Sequence, residues 1–105
     1  MPRLTLHTAI VLHCVASGYR HGFDIIDASG LQSGTVYPVL RRLEDAGMLK
    51  SKWERAERAH AEQRPPRRLY QLTGSGAEAL REALARYPGV ARLLAPDSTP
   101  TPRPA

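Results

Sequence analysis

The stretch Ser33-Gly34-Thr35-Val36-Tyr37-Pro38-Val39-Leu40-Arg41-Arg42-Leu43-Glu44-Asp45-Ala46, closed by Gly47, decides how the rest of the chain reads. Val36, Val39, Leu40 and Leu43 fall at i, i+3, i+4 and i+7, the apolar stripe of a 3.6-residue period, so a helix over about 33–46 buries that side. Gly34, Tyr37, Pro38, Arg41 and Asp45 point away from the stripe, with Thr35 and Arg42 on its flank. Ser33 and Thr35 are the candidate caps. If Thr35 caps, Pro38 sits in the first turn at no cost; if Ser33 caps, one backbone hydrogen bond is missing. Gly47 ends the helix.

Upstream, residues 5–17 read as a helix, with Leu6, Ala9, Ile10, His13 and Cys14 on one stripe. Val11, Leu12 and Val15 make its remaining surface apolar too. Such a helix needs cover on most sides, which a partner subunit or a central position within one domain supplies; in so short a chain the partner is the expectation. Gly18 and the run Tyr19-Arg20-His21-Gly22 break it. A second helix over about 21–29 buries Phe23 and Ile26, with Ile25 beside them, and Gly30 serves as its left-handed stop.

Downstream, residues 48–54 alternate loosely and residues 67–72 alternate clearly, the pattern of two paired strands. Pro65-Pro66 favours a long hairpin loop between them, against a rival short helix within Trp53–Glu62. Thr73 caps a further helix over about 74–87, with Leu72 stapling onto Ala77. Ala77, Leu80, Leu84 and Tyr87 form its apolar side, Pro88-Gly89 ends it, and Val90, Leu93 and Leu94 add a last turn. Residues 95–105, with prolines at 96, 100, 102 and 104, read as a disordered tail after a domain spanning 1–94.

The whole sequence is 105 residues, one small domain, with 15 Lys and Arg against 10 Asp and Glu for a net charge of +5. At 42% hydrophobic it can bury one modest core. No apolar run reaches the roughly 18 residues a membrane span needs. Polar Thr5, His7, Thr8 and His13 interrupt the first apolar stretch, so no signal peptide is read there. Cys14 stands alone and cannot form an intramolecular disulfide. A cytoplasmic protein without membrane association is the expectation. The positive charge is local: residues 50–68 hold seven basic against three acidic residues, +4 of the total. A basic segment in an otherwise balanced domain points to a polyanion, with a merely solvated loop as the bland alternative.

Three helices, a two-stranded basic hairpin and a closing helix describe a mostly α winged helix-turn-helix, whose third helix lies in the DNA major groove. Tyr37 offers a flat ring and a hydroxyl there, and Arg41 and Arg42 can hold a phosphate or a guanine edge. The amides near Ser33, Gly34 and Thr35 can meet a phosphate. The hairpin is the wing, carrying Arg64, Arg67 and Arg68 to the backbone or minor groove.

The third-helix run through Glu44, the later Gly47 and Trp53-Glu54 resemble the core signature of PadR-type bacterial transcriptional regulators. His21-Gly22-Phe23-Asp24-Ile25 is similar to that family's second helix, and Pro65-Pro66-Arg67-Arg68-Leu69-Tyr70-Gln71-Leu72-Thr73 to its wing exit. The resemblance covers roughly residues 4–87. It implies a dimeric repressor of a palindromic operator, with Tyr37 and Pro38 as the groove-entering pair and Arg67 and Arg68 as wing cations. The chain departs from the family at Phe23, where a tyrosine is common, at Leu69 in place of a wing tyrosine, and at Arg64 in a frequent glycine position. The long terminal helix through which members pair is also shortened, so the resemblance places dimerisation on the first and closing helices, at Leu6, Ile10, Val11, Leu80, Leu84 and Tyr87. No aromatic cluster marks an effector pocket, and a small-molecule effector stays open.

The remaining chemistry is sparse. His7, His13, His21 and His60 show no metal spacing, and no nucleophile stands with a base, so no metal, cofactor or enzymatic activity is expected. His13 reads as a hydrogen-bonded core residue, Cys14 as a small buried hydrophobe and Trp53 as packing the wing base onto the body. Glu44 and Asp45 read as exposed-face charge, or as acceptors for a cytosine amine. The competing function is a winged-helix module that binds protein instead of DNA, as an adaptor or antirepressor. The outward Arg41 and Arg42 separate the two, since a protein-only binder has no reason to aim them at solvent.

Overall fold

Thr5 starts the chain's first helix: its backbone is extended and its side-chain oxygen accepts from the Thr8 amide at 3.2 Å. The computed structural model describes residues 4–93. Their order is α1 (Leu6–Ala16), α2 (Gly22–Ser29), α3 (Ser33–Asp45), β1 (Leu49–Trp53), α4 (Ala56–Ala61), β2 (Arg68–Leu72), α5 (Gly74–Arg86) and α6 (Gly89–Leu93). This is the expected mostly helical fold with one two-stranded hairpin. Residues 94–105, and with them Leu94 and the expected tail, lie outside the described residues.

α1 is the hub. Ala9, Val11, Leu12 and Cys14 are fully buried, Ile10 and Val15 nearly so, and α2, α3, α5, α6 and β2 all pack on it. The chain itself therefore covers the helix expected to need a second subunit. Val11 is removed from the list of interface candidates, because a side chain with no exposed surface has nothing to offer a partner, and Ile10 is core as well.

α2 ends as expected at Gly30, whose φ of 74° returns its amide to the Ile26 carbonyl at 2.9 Å. Its buried face differs from expectation. Gly22 and Ile25 form it, Ile26 is half-buried, and Phe23 is 75% exposed. On an eight-residue helix only one side meets the core, and a step of one residue from Gly22 turns Phe23 by about 100° away from it.

α3 buries Val36, Val39, Leu40 and Leu43, the stripe read from the sequence. Its N-cap is Gln32, not Ser33 or Thr35, and no side chain caps it. Pro38 is consequently well inside the helix, where it removes the bond that would run to the Gly34 carbonyl.

β1 and β2 pair antiparallel in the register Leu49↔Leu72, Ser51↔Tyr70 and Trp53↔Arg68. The Tyr70 amide continues outward to the Arg20 carbonyl at 2.7 Å, which ties the hairpin to the turn before α2. Between the strands stands α4 instead of a long loop. Ala56, Glu57, Arg58 and Ala61 are good helix formers, and Ala59 is buried to 1% exposure, so the short rival helix wins. α5 is capped by Thr73, whose side chain accepts from the Gly76 amide at 3.1 Å. Its core positions are Gly76, Ala79 and Ala83, while Leu80, Leu84 and Tyr87 flank the core half-buried. Gly76 lies against the Met48 carbonyl, where a side chain would not fit, so the start of α5 packs directly on the chain entering β1.

Candidate nucleic-acid interface

Because α3 spends one side on the core, everything it offers a partner is on the other. Gly34, Tyr37, Pro38, Arg41 and Arg42 are exposed there, with Tyr37 at 45%. Among the described residues neither Arg41 nor Arg42 takes part in an ion pair or a side-chain hydrogen bond, and both guanidinium groups point at solvent with their donors unspent. At the start of α3 the amides of Thr35 and Val36 both reach the Gln32 carbonyl, at 2.9 and 3.0 Å. Thr35 therefore has no amide to give a ligand. Ser33 and Gly34 keep theirs, at the positive end of the helix dipole.

The wing cations divide. Arg64, expected on DNA, turns inward: its Nη2 donates to Glu54 Oε2 at 2.9 Å, Nη1 donates to Oε1 of the same carboxylate, and Nε donates to Glu62 at 3.0 Å. The Arg67 amide also donates to Glu54, at 3.3 Å, and Arg58 lies 3.7 Å away. These hydrogen bonds, Arg64's first, hold the Glu54 carboxyl at about 2 against the cost of its desolvation. The pair closes α4 onto the hairpin and is a fastening, not a free cation.

Arg67 Nη1 donates to His21 Nε2 at 3.0 Å. Burial, helped by the Arg67 and Arg64 charges, pushes His21 below its ordinary value and so favours the neutral ring that can accept. Asp24, 2.9 Å from the same nitrogen, and Glu54 pull the other way. Arg68 donates to Ser51 Oγ at 2.8 Å and to Glu44 at 3.3 Å, and lies 5.7 Å from the centroid of the Trp53 ring. The Ser51 hydroxyl, then burial opposing, then Arg68 set the Glu44 carboxyl below the usual range. Glu44 thus positions a wing cation from α3 and is not idle surface charge. Trp53 is 64% exposed and stacks under Arg68, contrary to the expected packing onto the body.

These groups form one concave surface. A hollow of Tyr37, Arg41, Glu44, Asp45, Arg68 and Tyr70 shares Tyr37, Arg68 and Tyr70 with a second hollow that adds His21, Gly22, Phe23 and Arg67. The second shares His21 and Arg67 with a groove along the wing that reaches Lys52, Trp53, Arg55 and Arg58. The recognition-helix face and the wing are therefore contiguous. The family profile of the PadR-like transcriptional regulators matches residues 11–82. The chain belongs to that family.

Solved structures resemble it as well. A PadR-like transcription factor from Bacteroides fragilis is 29% identical with a TM-score of 0.59, over 83% of this chain and 84% of that one. A PadR family transcription regulator from Clostridium difficile shares the fold at 19% identity and a TM-score of 0.66, covering 90% of this chain and 99% of its own. Bordetella bronchiseptica BpsR, whose DNA binding is regulated by 6-hydroxynicotinic acid, shares it at 21% identity and a TM-score of 0.68. That match covers 86% of this chain, which spans only 60% of BpsR. No curated protein matches the sequence. The winged-helix fold and DNA-binding regulation thus stand as read from the sequence.

Elsewhere the PadR-like body is chemically quiet. Burial pushes the Cys14 thiol up to about 11, which suits a packing residue. His13 Nε2 is enclosed without a hydrogen-bond partner among the described residues, contrary to expectation. No helix among those residues is long and apolar enough to cross a membrane. The groups missed in the sequence are Glu54, His21 and the exposed cations Arg55 and Arg58. The signal available for Arg58 was the rival helix, which sets it four residues after Glu54.

Proposed function

We propose that two copies of this chain bind a palindromic operator in duplex DNA as a sequence-specific repressor in the cytoplasm, with α3 in the major groove and the wing on the backbone or minor groove. The observation that carries this reading is the pair of unengaged arginines, Arg41 and Arg42, beside Tyr37 on the outward face of α3. Arg41 has the fork geometry for a guanine edge, and Tyr37 and Pro38 enter the groove with it. Phosphates are taken by Arg42, Arg67 and Arg68 and by the Ser33 and Gly34 amides, with Thr35 lining the helix start through its side chain. Arg64 leaves this set because Glu54 takes both of its arms and its side chain is only 17% exposed, whereas Arg68, though it touches Glu44, keeps 45%. The second copy packs along the edges of α1 and α5, where Leu6 is 45% exposed and Leu80, Leu84 and Tyr87 are half-buried.

Selection of bound sequences from random duplexes, followed by gel shifts of the selected site, tests this. With about three phosphates neutralised per subunit, the log–log salt slope of a dimer is near about −5. Arg41→Ala should weaken the selected site by about ten- to a hundredfold and a scrambled duplex hardly at all. Absence of any retarded band at low salt rejects the proposal.

A further inference from the structure

Gly22 is a glycine that its own backbone does not require. It is the first residue of α2, it is buried, and its φ is not positive. Alanine is the better helix former at such a place. What excludes a side chain is Tyr37. A methyl carbon on Gly22 would lie 2.6 Å from the Tyr37 hydroxyl oxygen and 2.7 Å from Cζ, with Cε1 nearer still, inside the 3.0 Å that real contacts respect. The phenol ring rests in the space a side chain would fill. His21, Phe23, Arg67, Arg68 and Tyr70 form the rim of the hollow around it. The ring is the outer end of a side chain, so a methyl group at position 22 would swing the ring aside and leave α2 in place.

We infer that Gly22 is a positioning residue for DNA recognition: its missing side chain seats the Tyr37 ring against α2, which fixes where the phenol stands on the DNA-reading face and so contributes to the choice of operator. The inference rests on the reading of the preceding subsection.

Gel shifts on the selected operator and a scrambled duplex test it with Gly22→Ala, Tyr37→Ala and the double variant, beside fluorine NMR of 3-fluorotyrosine-labelled protein in which Tyr37→Phe identifies the Tyr37 signal. Gly22→Ala should keep its thermal midpoint, shift the Tyr37 signal and lose about tenfold of its preference for the operator, with scrambled-duplex affinity unchanged. In the Tyr37→Ala background the same change should do nothing further. An unmoved Tyr37 signal, an unchanged preference, or an equal loss without Tyr37 overturns the inference. Should Gly22→Ala fail to fold, recovery of folding in the double variant supports the seat, and failure of both overturns it. Wild-type protein without operator preference overturns the DNA-binding reading and this inference together, whereas wild-type preference with a silent Gly22→Ala overturns this inference alone.

Discussion

At the scale of single residues, one carboxylate fastens α4 to the hairpin. Glu54 is 7% exposed at its side chain, takes both arms of Arg64, and accepts the Arg67 amide. Arg64→Ala leaves that carboxylate half-satisfied in a shielded place, so thermal stability should fall and the amides of residues 56–61 should lose hydrogen-exchange protection, while the salt slope of DNA binding stays unchanged. Melting, exchange and gel shifts on one variant check all three. The acid limb has a definite sign. Glu54 is more acidic folded than unfolded, so its contribution is complete above about 4.5 and is lost as the pH falls toward about 2. Acid titrations of the wild type and of Glu54→Gln should therefore converge at the bottom of that range. None of this was legible in the sequence. Glu54 and Arg64 are ten positions apart with two prolines following, and no local spacing announces a bond that the folded hairpin creates.

At the scale of elements, periodicity did its work wherever an element had one buried side. The α3 stripe is the case in point, and Leu40→Ala, at a position with no exposure, should cost about 2–5 kcal/mol by denaturant melts. Caps were legible where a side chain makes the bond, as at Thr73, and not at α3, where Gln32 caps by backbone alone. α2 and α5 were placed correctly with the wrong residues at their centres. Which side of a helix turns inward belongs to its neighbours: Gly22 faces Tyr37, and Gly76 lies against the Met48 carbonyl. α4 was a contest between helix formers and a proline pair, settled by the burial of Ala59.

At the scale of the whole molecule, most of α1 is covered by its own chain, so the proposed dimer has only what that packing leaves over. Leu80, Leu84 and Tyr87 flank the core, and Leu6 and Leu93 are 45% and 66% exposed. Leu84→Glu should leave the subunit folded, shift sedimentation toward the monomer, and weaken operator binding far more than binding to an isolated half-site. Sedimentation velocity with matched gel shifts checks this, and an unchanged oligomer would move the interface elsewhere.

The sequence by itself determined the order and kind of most elements, the inward side of α3, the outward arginines and the family, because these depend on spacing within one or two turns of chain. Only the tertiary structure decided which cations are tied to carboxylates, that most of α1 is buried by its own chain, and that the ring of Tyr37 lies on Gly22. Those outcomes depend on groups brought together from distant positions. Charge pairing and steric exclusion act across space, and a residue's neighbours in space are not written beside it in the chain.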